Sequence, residues 1–330
     1  MSTAPRVRLA DVAARVGVSI KTVSNVVNDT GWVGPTVRAE VLAAIDELGY
    51  RPNLAARQLR TGSSGLIGLC VPNLGEPYFA EFASVFVAAA ERRGLTVLIT
   101  QSAGSRAAEL AILEGENLPA LDGLVISPLA LTPADMEGRR STVPLLLIGE
   151  HGETLASDTV AHLGPDNAAA AEAATRFLLE DGRRRIVALG VEEARTGAAR
   201  FAGYRRALET AGLPLDAELV VPVERYDRAA GSRAVGRLLE EGIGFDGLFC
   251  FNDSLAFGAL YALGAAGIRV PEDVRVVGYD DVEEGRFTIP PLPTIDPGVA
   301  AASDRILDLL LGPRSELHGH AETAFALIVR

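Results

Sequence analysis

Lysine is almost missing from this 330-residue chain, in which Lys and Arg together number 31 but Lys21 is the only lysine. A Walker phosphate loop needs a lysine behind its glycines, so that chemistry is excluded, and no segment reads as a nucleotide fingerprint, no G-x-G-x-x-G run being expected. Cysteine is nearly as scarce. Cys70 and Cys250 lie far apart inside apolar runs, which rules out a disulfide framework and implies buried free thiols. The four histidines, His151, His162, His318 and His320, are too scattered to suggest a metal site, and His318-Gly-His320 reads as an exposed turn. No G-x-S-x-G elbow occurs. Nowhere do 18 apolar residues run uninterrupted, and no apolar signal segment follows Met1, so a cytoplasmic protein with no membrane partner is expected.

What is present is distributed unevenly. The net charge is −12, yet residues 1–62 hold eight basic and five acidic residues, a net of +3, which leaves −15 for the remainder. Any contact with nucleic acid must therefore belong to the first sixty residues. There, Leu9, Val12, Ala13 and Val16 recur at helical spacing and stop at Gly17. Ser19 can cap a second helix whose Val23, Val26 and Val27 pack back on the first, and Pro35 opens a third with Val37, Val41, Ile45 and Leu48 facing inward. Two short helices joined by a tight turn have the form of a helix-turn-helix. The outer side of the second helix carries Ser19, Ile20, Lys21, Thr22, Ser24, Asn25 and Asn28. In a major groove a lysine can donate to guanine, an asparagine can bond adenine bidentately and an isoleucine can touch a thymine methyl; a solvated helix face or a protein-binding module is the alternative.

Residues 53–64 read as a hinge. Asn53 can cap a helix of fewer than three turns containing Ala56, Arg57, Leu59 and Arg60 before a Gly/Ser-rich linker. So short a helix needs a partner to form. Paired across a symmetry axis in a minor groove, it would use Leu59 as a wedge between base steps while its arginines meet phosphates; a linker with an incidental leucine is the alternative.

From residue 65 onward, short apolar runs at 66–71, 95–99, 123–126 and 145–148 alternate with helical patterns, the rhythm of a mostly parallel sheet. It restarts near His162, passes into an Ala-rich helix from about Pro165 to Glu180, and continues with strands at 186–190, 247–251 and 274–279. Two α/β lobes follow, with a ligand cleft at their strand ends. Asp280-Asp281 and Asn252-Asp253 sit where strands give way to loops. Arg200 opens a helix near Phe201 and Tyr204, Tyr78 and Phe79 begin another, and Asn73 precedes them. Carboxylate, amide and guanidinium groups beside aromatic walls suit a polyhydroxylated ligand; each polar residue alone could equally be a helix cap.

The runs LADVAARVGVSIKTVSNVVN, GYRPNLAARQLRTG and GLIGLCVPNLGEPYFAEF resemble the head, hinge and first core strand of the lactose- and galactose-repressor family, and the resemblance extends over essentially the whole chain. It implies a DNA-binding domain at 1–52, a hinge at 53–64 and an effector-binding and dimerisation core at 65–330. Within that core it implies a first lobe at about 65–162 and 292–317 and a second at 163–291 and 318–330. It places base reading on Ile20, Lys21 and Asn25, and effector contacts on Arg200, Asn252, Asp280, Tyr78, Phe79 and Tyr226. An aspartate of the family's first lobe is replaced by Gly149, with Glu150 following. It further implies a homodimer meeting through helices near 76–93 and 105–118, because no tetramerising tail follows Arg330, on a near-palindromic operator. The expected function is a non-enzymatic repressor without a cofactor, controlled by a small molecule that is most readily a sugar, alternatively a nucleobase or other metabolite acting as corepressor. An enzyme would need a cofactor loop or a nucleophile–base pair, and a solute-binding protein would leave the head unexplained.

Overall fold

The computed structural model describes residues 7–50, 63–192 and 195–330, and the chain divides after Ser64 into two compact units. In the first unit, α1 (Leu9–Val16), α2 (Ile20–Val27) and α3 (Pro35–Leu48) enclose a small core of Val12, Ala13, Val23, Val26, Val41, Ala44 and Tyr50. Leu9, Val16, Val27, Val37, Ile45 and Leu48 pack at its edge. The Ser19 side chain accepts the Thr22 backbone N–H at 3.0 Å, satisfying one of the free donors at the start of α2. An Arg15–Glu47 pair at 2.8 Å joins α1 to α3.

The second unit contains β1 (Leu66–Val71), α4 (Pro77–Glu91), β2 (Thr96–Gln101), α5 (Arg106–Leu113), β3 (Gly123–Ile126), α6 (Pro133–Glu137), β4 (Leu145–Ile148), α7 (Glu150–Glu153) and β5 (Ala161–Pro165). After these come α8 (Asn167–Glu180), β6 (Ile186–Val191), α9 (Arg195–Thr210), β7 (Val220–Pro222), α10 (Arg228–Glu240), β8 (Gly247–Cys250), α11 (Asp253–Ala265) and β9 (Arg275–Tyr279). The chain ends with β10 (Thr294–Asp296), α12 (Val299–Leu311), β11 (Gly319–Thr323) and β12 (Ala326–Ile328). The first sheet has the order β11-β5-β4-β3-β1-β2 and is parallel throughout. The second, β12-β10-β9-β8-β6-β7, is parallel except where β12 runs against β10. Helices cover the inner strands, which explains why β3, β4 and β8 are apolar at every position. Cys70 and Cys250 are buried free thiols in these sheets.

Strand pairing corrects the expected lobe boundaries. Residues 163–165 complete β5 in the first sheet, β10 belongs to the second, and β11 returns to the first beside β5, with His320 opposite His162. The first lobe is therefore 65–165 plus 299–323, and residues 294–296 and 326–328 complete the second sheet. Two of the crossings between lobes pass so closely that a Cβ at Gly298, whose φ is +75°, would stand 2.4 Å from the Ala324 carbonyl oxygen; only glycine fits there. On the first lobe, Arg93 fastens α4 to α12 through Asp304 at 2.6 Å and Asp308 at 2.7 Å.

Gly242-Ile-Gly-Phe-Asp-Gly247 does have dinucleotide-loop spacing, contrary to the reading that no such run exists. It leads into β8 instead of following a strand into a helix, and so cannot cradle a pyrophosphate as that fingerprint does.

Candidate functional site: a head helix and a two-lobed cleft

On the head, Ser19, Ile20 and Lys21 are exposed at the start of α2, and Ile20 retains 53% of its accessible surface. Thr22 is engaged with Ser19, their hydroxyls 2.8 Å apart. Asn25 lies against the α2–α3 loop, where a Cβ at Gly31 would meet its amide nitrogen at 3.0 Å. Asn28 folds back on its own helix, donating to the Ser24 carbonyl at 2.6 Å, and acts as a C-terminal cap. Trp32, the sole tryptophan of the sequence, is one residue beyond Gly31 and 88% exposed. Helical periodicity could not single it out, but a lone tryptophan in a Gly-Trp-Val-Gly loop was a usable signal. Asn53, Ala56, Arg57, Leu59 and Arg60 lie outside the described residues.

Within the core, a cavity of about 340 Å³ opens between the two lobes. The first lobe contributes Tyr78 and Phe79 from the first turn of α4, Glu150 from α7 and His162 from β5; the second contributes Arg200, Tyr226, Asn252, Tyr279 and Asp280. Tyr78 and Phe79 meet edge-on, with centroids 5.2 Å apart. Asn73 is not in the lining; it closes the turn before α4 by accepting the Gly75 N–H at 2.9 Å.

Arg200 lies in the second turn of α9 and does not open it. Its Nε donates to Asn167 Oδ1 at 3.0 Å, its Nη1 donates to the Phe251 carbonyl, and its guanidinium carbon stands 3.4 Å from the Tyr279 ring centroid. Burial works against its charge, but Tyr279, Glu150 and Asp280 around it outweigh that effect and hold its pKa up. Asp280 follows β9 with φ +113°, an uncommon backbone conformation for a residue other than glycine. Burial pushes its carboxyl well above the usual range, with Arg200 pulling the other way. Asn252 has both roles weighed for it: its Oδ1 caps α11 on the Leu255 N–H at 2.8 Å, and it also lines the cavity. Tyr226 donates its hydroxyl to the Gly190 carbonyl.

Several neighbours expected near the ligand serve the fold instead. Asp281 pairs with Arg330. Asp253 is buried, accepting from Thr294 Oγ1 at 2.7 Å and the Val282 N–H at 3.0 Å, and desolvation raises its pKa to about 7. Tyr204 is a core residue whose hydroxyl donates to the Ile186 carbonyl at 2.7 Å.

Among the lining features that escaped sequence reasoning are Tyr279 beneath Arg200 and two on the first lobe. Glu150 turns into the cleft and accepts the Thr196 hydroxyl. His162 and His320, 158 residues apart, are not scattered: their Nδ1 atoms stand 2.8 Å apart, with His162 Nε2 2.8 Å from the Gly149 carbonyl oxygen. Since a carbonyl only accepts, His162 carries its proton on Nε2 and His320 donates between the rings. Burial, with His320 adding to it, depresses the His162 pKa to about 4. Among the described residues no cluster of three or more His, Cys, Asp or Glu could hold a metal ion, and no helix is long and apolar enough to cross a membrane.

A three-helix DNA-binding head and a two-lobed core with a ligand-sized polar cleft define a transcriptional regulator with an effector domain. The profile described as "Bacterial regulatory proteins, lacI family" matches residues 8–53, and that of a "Periplasmic binding protein-like domain" matches 175–330. The HTH-type transcriptional repressor PurR of Pectobacterium carotovorum subsp. carotovorum is 32% identical over 319 residues, covering 94% of this chain and 92% of that protein. The Lac repressor dimer bound to operator and the anti-inducer ONPF superposes with a TM-score of 0.82 at 27% identity, covering 99% of this chain and 98% of that one. The transcriptional regulator CelR in complex with cellobiose gives 0.71 at 29% identity, covering 98% and 99%. The chain belongs to the LacI family: it is a DNA-binding transcriptional repressor and not an enzyme.

Proposed function

We propose that the chain acts in the cytoplasm as a homodimer on a near-palindromic operator, and that a sugar bound in the cleft controls its affinity for DNA. The observation that carries the effector reading is the convergence of Arg200, Asp280 and Glu150 on one cavity walled by Tyr78, Phe79 and Tyr226. Sugar hydroxyls need paired donors and acceptors, while the C–H faces of the ring stack on aromatics. CelR with its cellobiose supports this choice. The PurR relatives favour a second reading, a nucleobase corepressor in the same place.

In this proposal Ile20, Lys21 and Asn25 meet base edges, Ser19, Thr22 and Ser24 meet the backbone, and Trp32 extends the contact from the adjoining loop. Asn28 contributes indirectly, by ending α2. The hinge at 53–64, with Asn53, Ala56, Arg57, Leu59 and Arg60, couples the two functions, and partner subunits meet through α4 and α5. Ligand-dependent tilting of the lobes alters the spacing at which the hinge segments enter, and a coupling of about 1–3 kcal/mol changes DNA affinity roughly 5- to 150-fold. The test is electrophoretic mobility of operator-like palindromes, at stated salt, with and without cellobiose, other neutral sugars, hypoxanthine and guanine. A shift toward free DNA supports induction, and tighter binding supports corepression. Binding that ignores base order and every compound tested rejects the proposal.

A further inference from the structure

The cleft is built around one buried positive charge, and that charge already faces a carboxylate. Gly149, with φ +77° and ψ 157°, turns the chain out of β4 so that Glu150 starts α7 on the first lobe. From there Glu150 reaches the second lobe: one of its oxygens accepts the Thr196 hydroxyl, and Oε1 stands 3.7 Å from Arg200 Nη2. The other two guanidinium nitrogens are committed to Asn167 and Phe251. Phosphates and carboxylates are held best by a guanidinium edge with two parallel donors free, whereas Arg200 already donates from Nε and Nη1 and turns Nη2 toward Glu150. Among the described residues the rest of the lining reinforces this, with Glu76, Glu153, Glu192, Glu224 and Asp280 against a single further guanidinium, that of Arg225.

We propose that Glu150 sets the charge class of the effector, making the cleft a site for uncharged hydroxyl- or amide-bearing ligands and excluding phosphorylated ones. The inference rests on the cleft being the effector site. A neutral ligand can donate to Glu150 and Asp280 and accept from Arg200 without disturbing their balance. A phosphate drawn to Arg200 would meet the Glu150 carboxylate, 3.7 Å from Nη2, in a cavity also lined by Asp280 where like charges repel more than in water.

The test uses the full chain at constant ionic strength, with inorganic phosphate, glucose 6-phosphate and glucose as calorimetric probes. Glu150→Gln keeps the size and an acceptor for Thr196 but removes the charge; Glu150→Asp keeps the charge. We expect wild type and Glu150→Asp to reject inorganic phosphate, and Glu150→Gln to bind it at least about tenfold more tightly. The gain should vanish in the Glu150→Gln/Arg200→Met double variant. Glu150→Ala provides the same comparison should Glu150→Gln fail to melt cooperatively. Equal phosphate affinity in wild type and the neutral variants, a gain that survives loss of Arg200, or wild-type preference for glucose 6-phosphate over glucose would each overturn the proposal. Failure of the cleft reading looks different: the phosphate gain appears, yet no ligand alters DNA mobility.

Discussion

Replacing Arg200 with Met keeps an unbranched stem as far as the Nε position while deleting the guanidinium over Tyr279, with its charge and all of its donors. Asn167 Oδ1 and the Phe251 carbonyl lose a partner, and Glu150 and Asp280 are left facing each other without a cation. Deleting one member of a buried charge pair costs about 3–5 kcal/mol. Relief is available here, because Glu150 opens on the cavity and Asp280, already raised by burial, can take up a proton. The lower figure of about 3 kcal/mol is therefore expected at pH 8, a fall in Tm of roughly 6–12 °C for a domain of this size. The pH dependence identifies the cause. Arg200 lowers the Asp280 pKa, so the variant raises it further above its unfolded value. A raised carboxyl contributes stability that is complete below the unfolded pKa and is lost as pH climbs through the folded one. The deficit relative to wild type should accordingly shrink at pH 5 and grow toward pH 8, as measured by thermal unfolding across that range. A deficit independent of pH, or none at all, would refute the account of Arg200 as the charge that keeps two carboxylates together.

Three further outcomes can be checked. Asn25→Ala should change which base is preferred in a palindrome library by about 1–3 kcal/mol at one position, whereas Asn28→Ala should leave preference intact and cost the head about 1 kcal/mol by removing its bond to Ser24; the reverse pattern exchanges their roles. Since Trp32 is the only tryptophan and is exposed, its emission should shift on adding operator DNA, and an unchanged spectrum would place that loop away from the duplex. His162 should make the core acid-sensitive. Its pKa is depressed to about 4 from the ordinary imidazole range, so its stabilisation is present above about pH 6.5 and is lost as pH falls toward 4, by about 3 kcal/mol. His162→Gln should flatten that part of the Tm profile.

Elements whose fate is decided locally were readable from sequence. The runs at 123–126 and 145–148 became β3 and β4 with the same bounds because a strand covered on both faces needs apolar residues at every position. The head's inward residues followed from helical periodicity in the same way. The lobe boundary at the C-terminus could not be read like this, since β11, GHAET, is an edge strand whose three central residues are exposed and so resembles a polar turn. Its place beside β5 depends on a pairing partner 158 residues away, which is also why the His162–His320 contact had no local signal.

Glu150 shows the sharpest limit of local reading. The sequence contains a glycine where a carboxylate was expected and a glutamate one position later. A shift of one residue normally reverses the direction of a side chain leaving a strand. Gly149 cancels that reversal, because its backbone takes a left-handed φ of +77° and delivers Glu150 to Thr196 and Arg200. Any residue with a Cβ at 149 would be strained at that φ and would press on Ser127 Oγ at 3.1 Å. The glycine and the glutamate therefore act as a pair: Gly149→Ala should disturb the charge balance at Arg200 even though residue 149 itself carries no charge.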